Sequence, residues 1–166
     1  MQPPGLQRPP RIPRKRRPAL PGETPRRGVT TFEILSHTAD TGFRVTADTF
    51  EDLLAAAAGA LAGIVMDCRN VQPLESLEIA AQGEDLEALV VNFLNEVLYV
   101  LDGRRFAVSR AAVTASGPHG VSAALIGEPR DDIRHPPSLV VKAVTYHQIV
   151  VEQRGARWIA EVYLDI

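Results

Sequence analysis

Residues 83–103 read GEDLEALVVNFLNEVLYVLDG, and the fold turns on how this stretch is read. Leu86, Leu89, Val90, Phe93, Leu94, Val97, Leu98 and Leu101 recur at i, i+3, i+4 and i+7, the spacing of a helix with one apolar face. Glu84, Asp85 and Glu87 crowd its start, where the helix dipole favours negative charge. Asp102-Gly103 marks its end. Downstream the helical period stops. Phe106–Ala115, Val121–Ile126, Leu139–Gln153 and Trp158–Leu164 all read as strands. Turn signals separate them: Gly117-Pro118-His119-Gly120, a polar Pro-bearing loop to Ser138, and Gly155.

Upstream, Leu77, Ile79 and Ala81 suggest a short strand. Before it, Thr49 followed by Phe50-Glu51-Asp52 has the form of a helix N-cap with an acid three residues on. That helix is expected to run to about Met66, with Leu53, Leu54, Ala57, Ala58, Leu61 and Val65 on its buried face. Its many small residues permit close approach to a sheet. Gly42–Ala47 alternates Phe43, Val45 and Ala47 against Arg44 and Thr46, and Thr31–Leu35 reads as a strand before it. The order is therefore strands, helix, strand, helix and a run of strands. That order argues for an α+β fold with a mixed or antiparallel sheet and two main helices on one side. Neither GxGxxG nor a P-loop occurs, so a standard nucleotide cradle is unsupported.

With 166 residues, 45% of them apolar and 23% charged, one globular domain is expected. No apolar run is long enough for a membrane span, so no membrane partner is expected. The single cysteine, Cys68, excludes an intrachain disulfide and a cysteine zinc cluster, and fits a reducing cytoplasm. The net charge of −2 hides an asymmetry. Residues 1–28 hold eight basic groups against Glu23 alone, a formal +7, which leaves −9 on the rest. The same 28 residues hold eight of the thirteen prolines and few apolar side chains. They are expected to form a disordered basic arm, 1–28, ahead of a folded domain, 29–166. Arg14-Lys15-Arg16-Arg17 is a candidate for RNA phosphates, set against the plainer reading of a solvated tail.

Three polar clusters interrupt the apolar pattern: His37-Thr38-Ala39-Asp40, Lys142–His147 and Asp165-Ile166. On strand alternation, Lys142, Val144 and Tyr146 are expected on one face and Ala143, Thr145 and His147 on the other. Taken singly, Asp40 reads as a turn acid, Lys142 as a snorkelling edge residue and Asp165 as a frayed end. Together they say more. Asp165 and the α-carboxylate of Ile166 are adjacent negative groups that need a cation, a lysine or full solvation. Asp40 supplies a third oxygen site if the two strand ends meet. Oxygen donors suit Ca²⁺ or Mg²⁺ better than zinc, while His37 leaves room for a softer ion.

The same residues carry a family resemblance. The sequence resembles the archease family in His37-Thr38-Ala39-Asp40, in Gly83–Leu89, in Asn95-Glu96 with Leu98-Tyr99, and in Gly127-Glu128-Pro129. It does so again in His135-Pro136-Pro137, Val141–His147 and Leu164-Asp165-Ile166, in the same order across residues 31–166. The resemblance implies a small α+β sandwich containing a strand-helix-strand-strand unit. It implies an accessory protein rather than an enzyme. Its partner would be the tRNA-splicing RNA ligase, which joins 2′,3′-cyclic phosphate or 3′-phosphate RNA ends to 5′-hydroxyl ends. The family promotes guanylylation of that ligase, with GTP bound by the partner and RNA met indirectly, and supports multiple turnover. It also implies a divalent metal, Ca²⁺ first and Mg²⁺ or Mn²⁺ as alternatives, on Asp40, Asp165 and Ile166. Lys142 matches a functionally important lysine, with His37, Tyr146 and His147 on the ligase-facing side. Ser36 departs from the pattern, standing where relatives often carry an acid. The rival readings are a stand-alone metal-dependent hydrolase or phosphotransferase, with His37 or His147 as general base, and a chaperone or modulator of another protein.

Overall fold

The structure, a computed structural model, describes residues 30–37 and 40–166, with backbone alone for Ser36, His37 and Asp40. The expected arm 1–28 lies outside the described residues. The elements follow the expected order: β1 (Thr31–His37), β2 (Asp40–Ala47), α1 (Phe50–Val65), β3 (Glu75–Gln82), α2 (Leu86–Asp102), β4 (Phe106–Ser116), β5 (Gly120–Pro129), β6 (Ala143–Arg154) and β7 (Arg157–Asp165). The α+β class holds, and every strand pairing is antiparallel.

The layering differs from the expectation of helices on one side. The strands divide into two sheets, ordered β1-β2-β7-β6 and β3-β5-β4. Both helices pack against both sheets: α1 against β4 on one side and β2 and β7 on the other, α2 against β3 and β6. The helices thus fill the space between the sheets. That explains why α1 buries residues well round its circumference, including Leu53, Leu54, Ala57, Ala60, Leu61, Ala62 and Ile64. The alanines let two sheets approach one helix closely. Leu94, at the centre of the α2 stripe, is fully buried, as its spacing requires.

Local chemistry sets the helix ends. Thr49 caps α1, its side chain accepting from the Asp52 N–H at 3.1 Å. Asp85 caps α2 in the same way, accepting from Ala88 N–H at 2.7 Å. Gly83 is required two residues earlier because a Cβ there would collide with the backbone of Leu89, where β3 turns into the helix. Gly103 ends α2 for a different reason from the left-handed cap its position suggests. Its backbone is right-handed helical, and a side chain there would strike the Tyr99 ring. Gly155, at φ +61°, makes the tight β6–β7 turn between Arg154 and Arg157.

The strand expected from Leu139 begins only at Ala143. Residues 138–139 instead bond back to α1, Ser138 N–H to Val65 O at 2.9 Å and Leu139 N–H to Ile64 O at 3.2 Å. Among the described residues no helix is long and apolar enough to cross a membrane.

Candidate functional site

Sheet pairing gathers the expected site at one end of the first sheet. β7 is its hub: Thr41 pairs with Leu164 on one side, and Ala143 pairs with Asp165 on the other. His37 pairs with Asp40 across the β1–β2 turn. The backbones of His37, Asp40, Asp165 and Lys142 therefore converge on one sheet end although they are far apart in sequence. The side chains of Asp40, expected at the metal, and His37, expected on the ligase-facing side, lie outside the described residues.

Lys142 is held twice. Its backbone N–H donates to Asp165 O at 2.8 Å, and its Nζ donates to the main-chain oxygen of Ile166 at 3.0 Å. The ammonium thus answers the negative end that charge reasoning singled out. Asp165 is no frayed residue, since it closes the β6–β7 ladder, and its side chain is exposed. Oxygen donors with open access on a strand end match the chemistry of a hard cation. Among the described residues no group of three or more His, Cys, Asp or Glu side chains stands ready to hold a metal, a set that does not include the Asp40 carboxylate.

Burial does not follow the alternation expected for Lys142–His147. Val144 is buried at 3% exposure, while Lys142 and Tyr146, expected on its face, are exposed. Two features cause this. Lys142 precedes the strand, and a wide bulge follows Thr145: Thr145 pairs with Tyr163, but the next paired residue is Val150, opposite Glu161. Residues 146–149 stand against Val162 alone. The bulge carries a non-glycine residue, Gln148, at φ +51°, a conformation costly for a side chain with a Cβ. Thr145 braces it, its hydroxyl donating to Tyr163 O at 3.2 Å and accepting from His147 N–H at 3.3 Å. The His147 ring meets the Tyr163 ring edge-on at 6.3 Å. Tyr146 reaches across to α2. Its hydroxyl donates to Asn92 Oδ1 at 3.2 Å, and it walls an open cleft of about 790 Å³ with Glu84, Asp85 and His119 at the start of α2.

Sequence reasoning missed the two asparagines of α2 as working residues. Asn95 accepts from Val144 N–H and donates to Val144 O, both at 3.0 Å, and Asn92 donates to Gln82 O at 2.7 Å. Their signal was available: asparagine is a poor helix former, yet two stand within the strongly apolar run of α2.

It also missed a polar knot beneath the loop that leads to Lys142. Glu128 is buried at 4% exposure and grips Arg134 through both carboxylate oxygens, at 2.7 and 2.9 Å. It also accepts the Gln72 N–H at 2.7 Å. The Arg134 bonds, then the Gln72 N–H, hold the Glu128 carboxyl down at about 2. His135, fully buried, accepts the Asp131 N–H on Nδ1 at 3.1 Å, which assigns its ring proton to Nε2, 3.3 Å from Glu128. Arg134 reaches on to Asn70 O at 3.1 Å. Nearby, burial pushes the Cys68 thiol up to about 11, so it is not a nucleophile at neutral pH.

Comparison with known proteins follows the same residues. The sequence model of the Archease protein family matches residues 32–166. A protein named archease from Methanopyrus kandleri is 41% identical over 138 residues, covering 81% of this chain and 99% of its own length. The archease of Pyrococcus furiosus is 34% identical over 139 residues, covering 81% and 98%. Among solved structures, the solution structure of Methanobacterium thermoautotrophicum protein 1598 superposes with a TM-score of 0.68 at 24% identity, covering 81% of this chain and 98% of that one. The crystal structure of a Thermotoga maritima archease, described as a possible chaperone, gives 0.52 at 22%, covering 80% and 94%. At these identities the two structures speak for the fold.

Proposed function

This chain belongs to the archease family, and from that membership we propose that it is an accessory factor, not an enzyme, which activates the tRNA-splicing RNA ligase in the cytoplasm. In this reading it speeds guanylylation of the ligase and sustains multiple turnover. GTP is bound by the partner, and RNA ends are met only through it. The observation that carries the reading is the family match over nearly the whole folded body, residues 32–166.

The end of the first sheet supplies the working groups. Loading a nucleotide requires neutralised phosphate charge and a fixed geometry around it. Lys142 offers a cation held by its own backbone bond to Asp165, so its position is set before any partner arrives. Tyr146 and His147 lie just downstream on a braced bulge, and both are exposed. In this reading a divalent ion, Ca²⁺ before Mg²⁺ or Mn²⁺, would be held by Asp40, Asp165 and the carboxylate of Ile166. Such an ion, when bound, supplies positive charge for phosphate oxygens. Lys142 then competes for the Ile166 oxygen and tunes how much negative charge remains for the ion.

The test that separates this reading from a stand-alone hydrolase or phosphotransferase is GTP turnover by the purified protein with each divalent ion. The accessory reading expects no turnover alone and faster ligase guanylylation when both proteins are present. Steady GTP hydrolysis without ligase would overturn it.

A further inference from the structure

We infer that Asn95, seconded by Asn92, is the positioning residue for the Lys142–Tyr146 segment. The inference rests on the ligase reading for its functional meaning, but its geometry stands apart from it.

Among the described residues β6 lies at the edge of its sheet and pairs with β7 alone, so the polar backbone groups on its other side have no neighbouring strand there. Val144 is buried, and an unpaired N–H or C=O there is costly. Asn95 meets both groups as a neighbouring strand would, accepting the N–H on Oδ1 and donating to the C=O from Nδ2, each at 3.0 Å. Its second amide hydrogen goes to Val91 O, also at 3.0 Å, which locks the amide to its own helix. The three bonds fix its orientation, because the flipped amide would set Nδ2 against a donor. A turn earlier on α2, Asn92 bridges the other sheet edge to the bulge, from Gln82 O to the Tyr146 hydroxyl. Both asparagines thus tie one helix to the segment that carries the exposed functional groups. Lys142 lies two residues before the clamped Val144, and Tyr146 two residues after it. The β7 ladder cannot do this work beyond Thr145, where pairing lapses until Val150.

The experiment uses the full chain with Asn95→Ala, Asn95→Asp and Asn92→Ala, read first by amide hydrogen exchange. Asn95→Ala is expected to raise exchange at Val144 by at least about tenfold while the amides of Leu94 and Leu98 hold steady. Asn95→Asp keeps an acceptor for the Val144 N–H but sets an oxygen against the Val144 and Val91 carbonyls, so it too should raise exchange at Val144. Asn92→Ala, at an exposed position, should leave Val144 protected and raise exchange at His147. A rise in exchange at Val144 only in step with Leu94 and Leu98, or none in any Asn95 variant, would overturn the inference. The second readout is maximal ligase guanylylation at saturating activator, in a cycle with Lys142→Ala. Positioning predicts that Asn95→Ala adds nothing to Lys142→Ala in the double variant, whereas multiplied losses would show an independent structural role. If Lys142→Ala alone leaves activation at the wild-type level, the role given to Lys142 fails, and if the wild-type protein does not activate the ligase, the ligase reading fails; in either case the exchange result still decides the role of Asn95.

Discussion

Lys142 is tied to the end of β7 by two different groups: its N–H to Asp165 O at 2.8 Å and its ammonium to Ile166 O at 3.0 Å. A lysine so placed is fixed by strand pairing rather than by burial, and it remains exposed. Exposed ion pairs contribute about 0–1 kcal/mol to stability. Lys142→Ala should therefore shift the denaturation midpoint little while cutting ligase activation by at least about tenfold. A large loss of stability with activation preserved would show that Lys142 serves the fold.

Leu94 is fully buried between the layers. Leu94→Ala should cost about 2–5 kcal/mol, read from urea or guanidinium unfolding. An unaltered midpoint would mean that the α2 stripe does not form the core.

Acid stability should depend on Glu128. Arg134 and the Gln72 N–H hold its carboxyl at about 2, below the ordinary 4.5. A carboxyl lowered on folding stabilises the fold fully above 4.5, and that contribution is lost as pH falls from 4.5 through about 2. Glu128→Gln should be less stable than the wild type at neutral pH, and the gap should narrow across that window. Asp67, held at about 2 by Arg69, titrates in the same range, so the wild type will retain some acid dependence that Glu128→Gln does not remove. A gap that stays constant from neutral pH to about 2 would refute the role given to the knot.

Cys68 should resist alkylation. Burial lifts its thiol to about 11, so iodoacetamide should modify it slowly at neutral pH and faster only as pH rises toward that value. Rapid modification at pH 7 in the folded protein would contradict the structure.

Local signals in the sequence carried much of this architecture. The α2 spacing, the Thr49 cap and the alternation of β2 each depend on residues a few positions apart, and each element formed where expected. A lysine near Asp165 and Ile166 was one of the answers that charge allowed, and Lys142 reaches the Ile166 oxygen. What stayed hidden depends on distant partners. Periodicity identifies strands but not their neighbours, so one sheet with helices on one side could not be told from two sheets enclosing them. The exposure of Lys142 and Tyr146 either side of buried Val144 was not legible, because the start of β6 at Ala143 and the bulge at 146–149 leave no trace in hydrophobic pattern. Asn95 reaches Val144 across 49 positions, and Glu128 reaches Gln72 across 56, and neither pairing has a local mark.

A short C-terminal extension should weaken divalent binding by at least about tenfold if the Ile166 carboxylate is a ligand, since hard-cation affinity follows ligand charge. An N-terminal tag should leave it unchanged. Titration calorimetry with Ca²⁺ on the two tagged forms checks this, and equal affinities would remove Ile166 from the site.

The most direct measurement is the initial rate at which purified ligase becomes guanylylated from labelled GTP, with and without this protein. The account predicts a faster rate and repeated RNA joining per ligase molecule when the protein is present, with the stimulation lost in Lys142→Ala. An unchanged rate, with the ligase itself active, would contradict it.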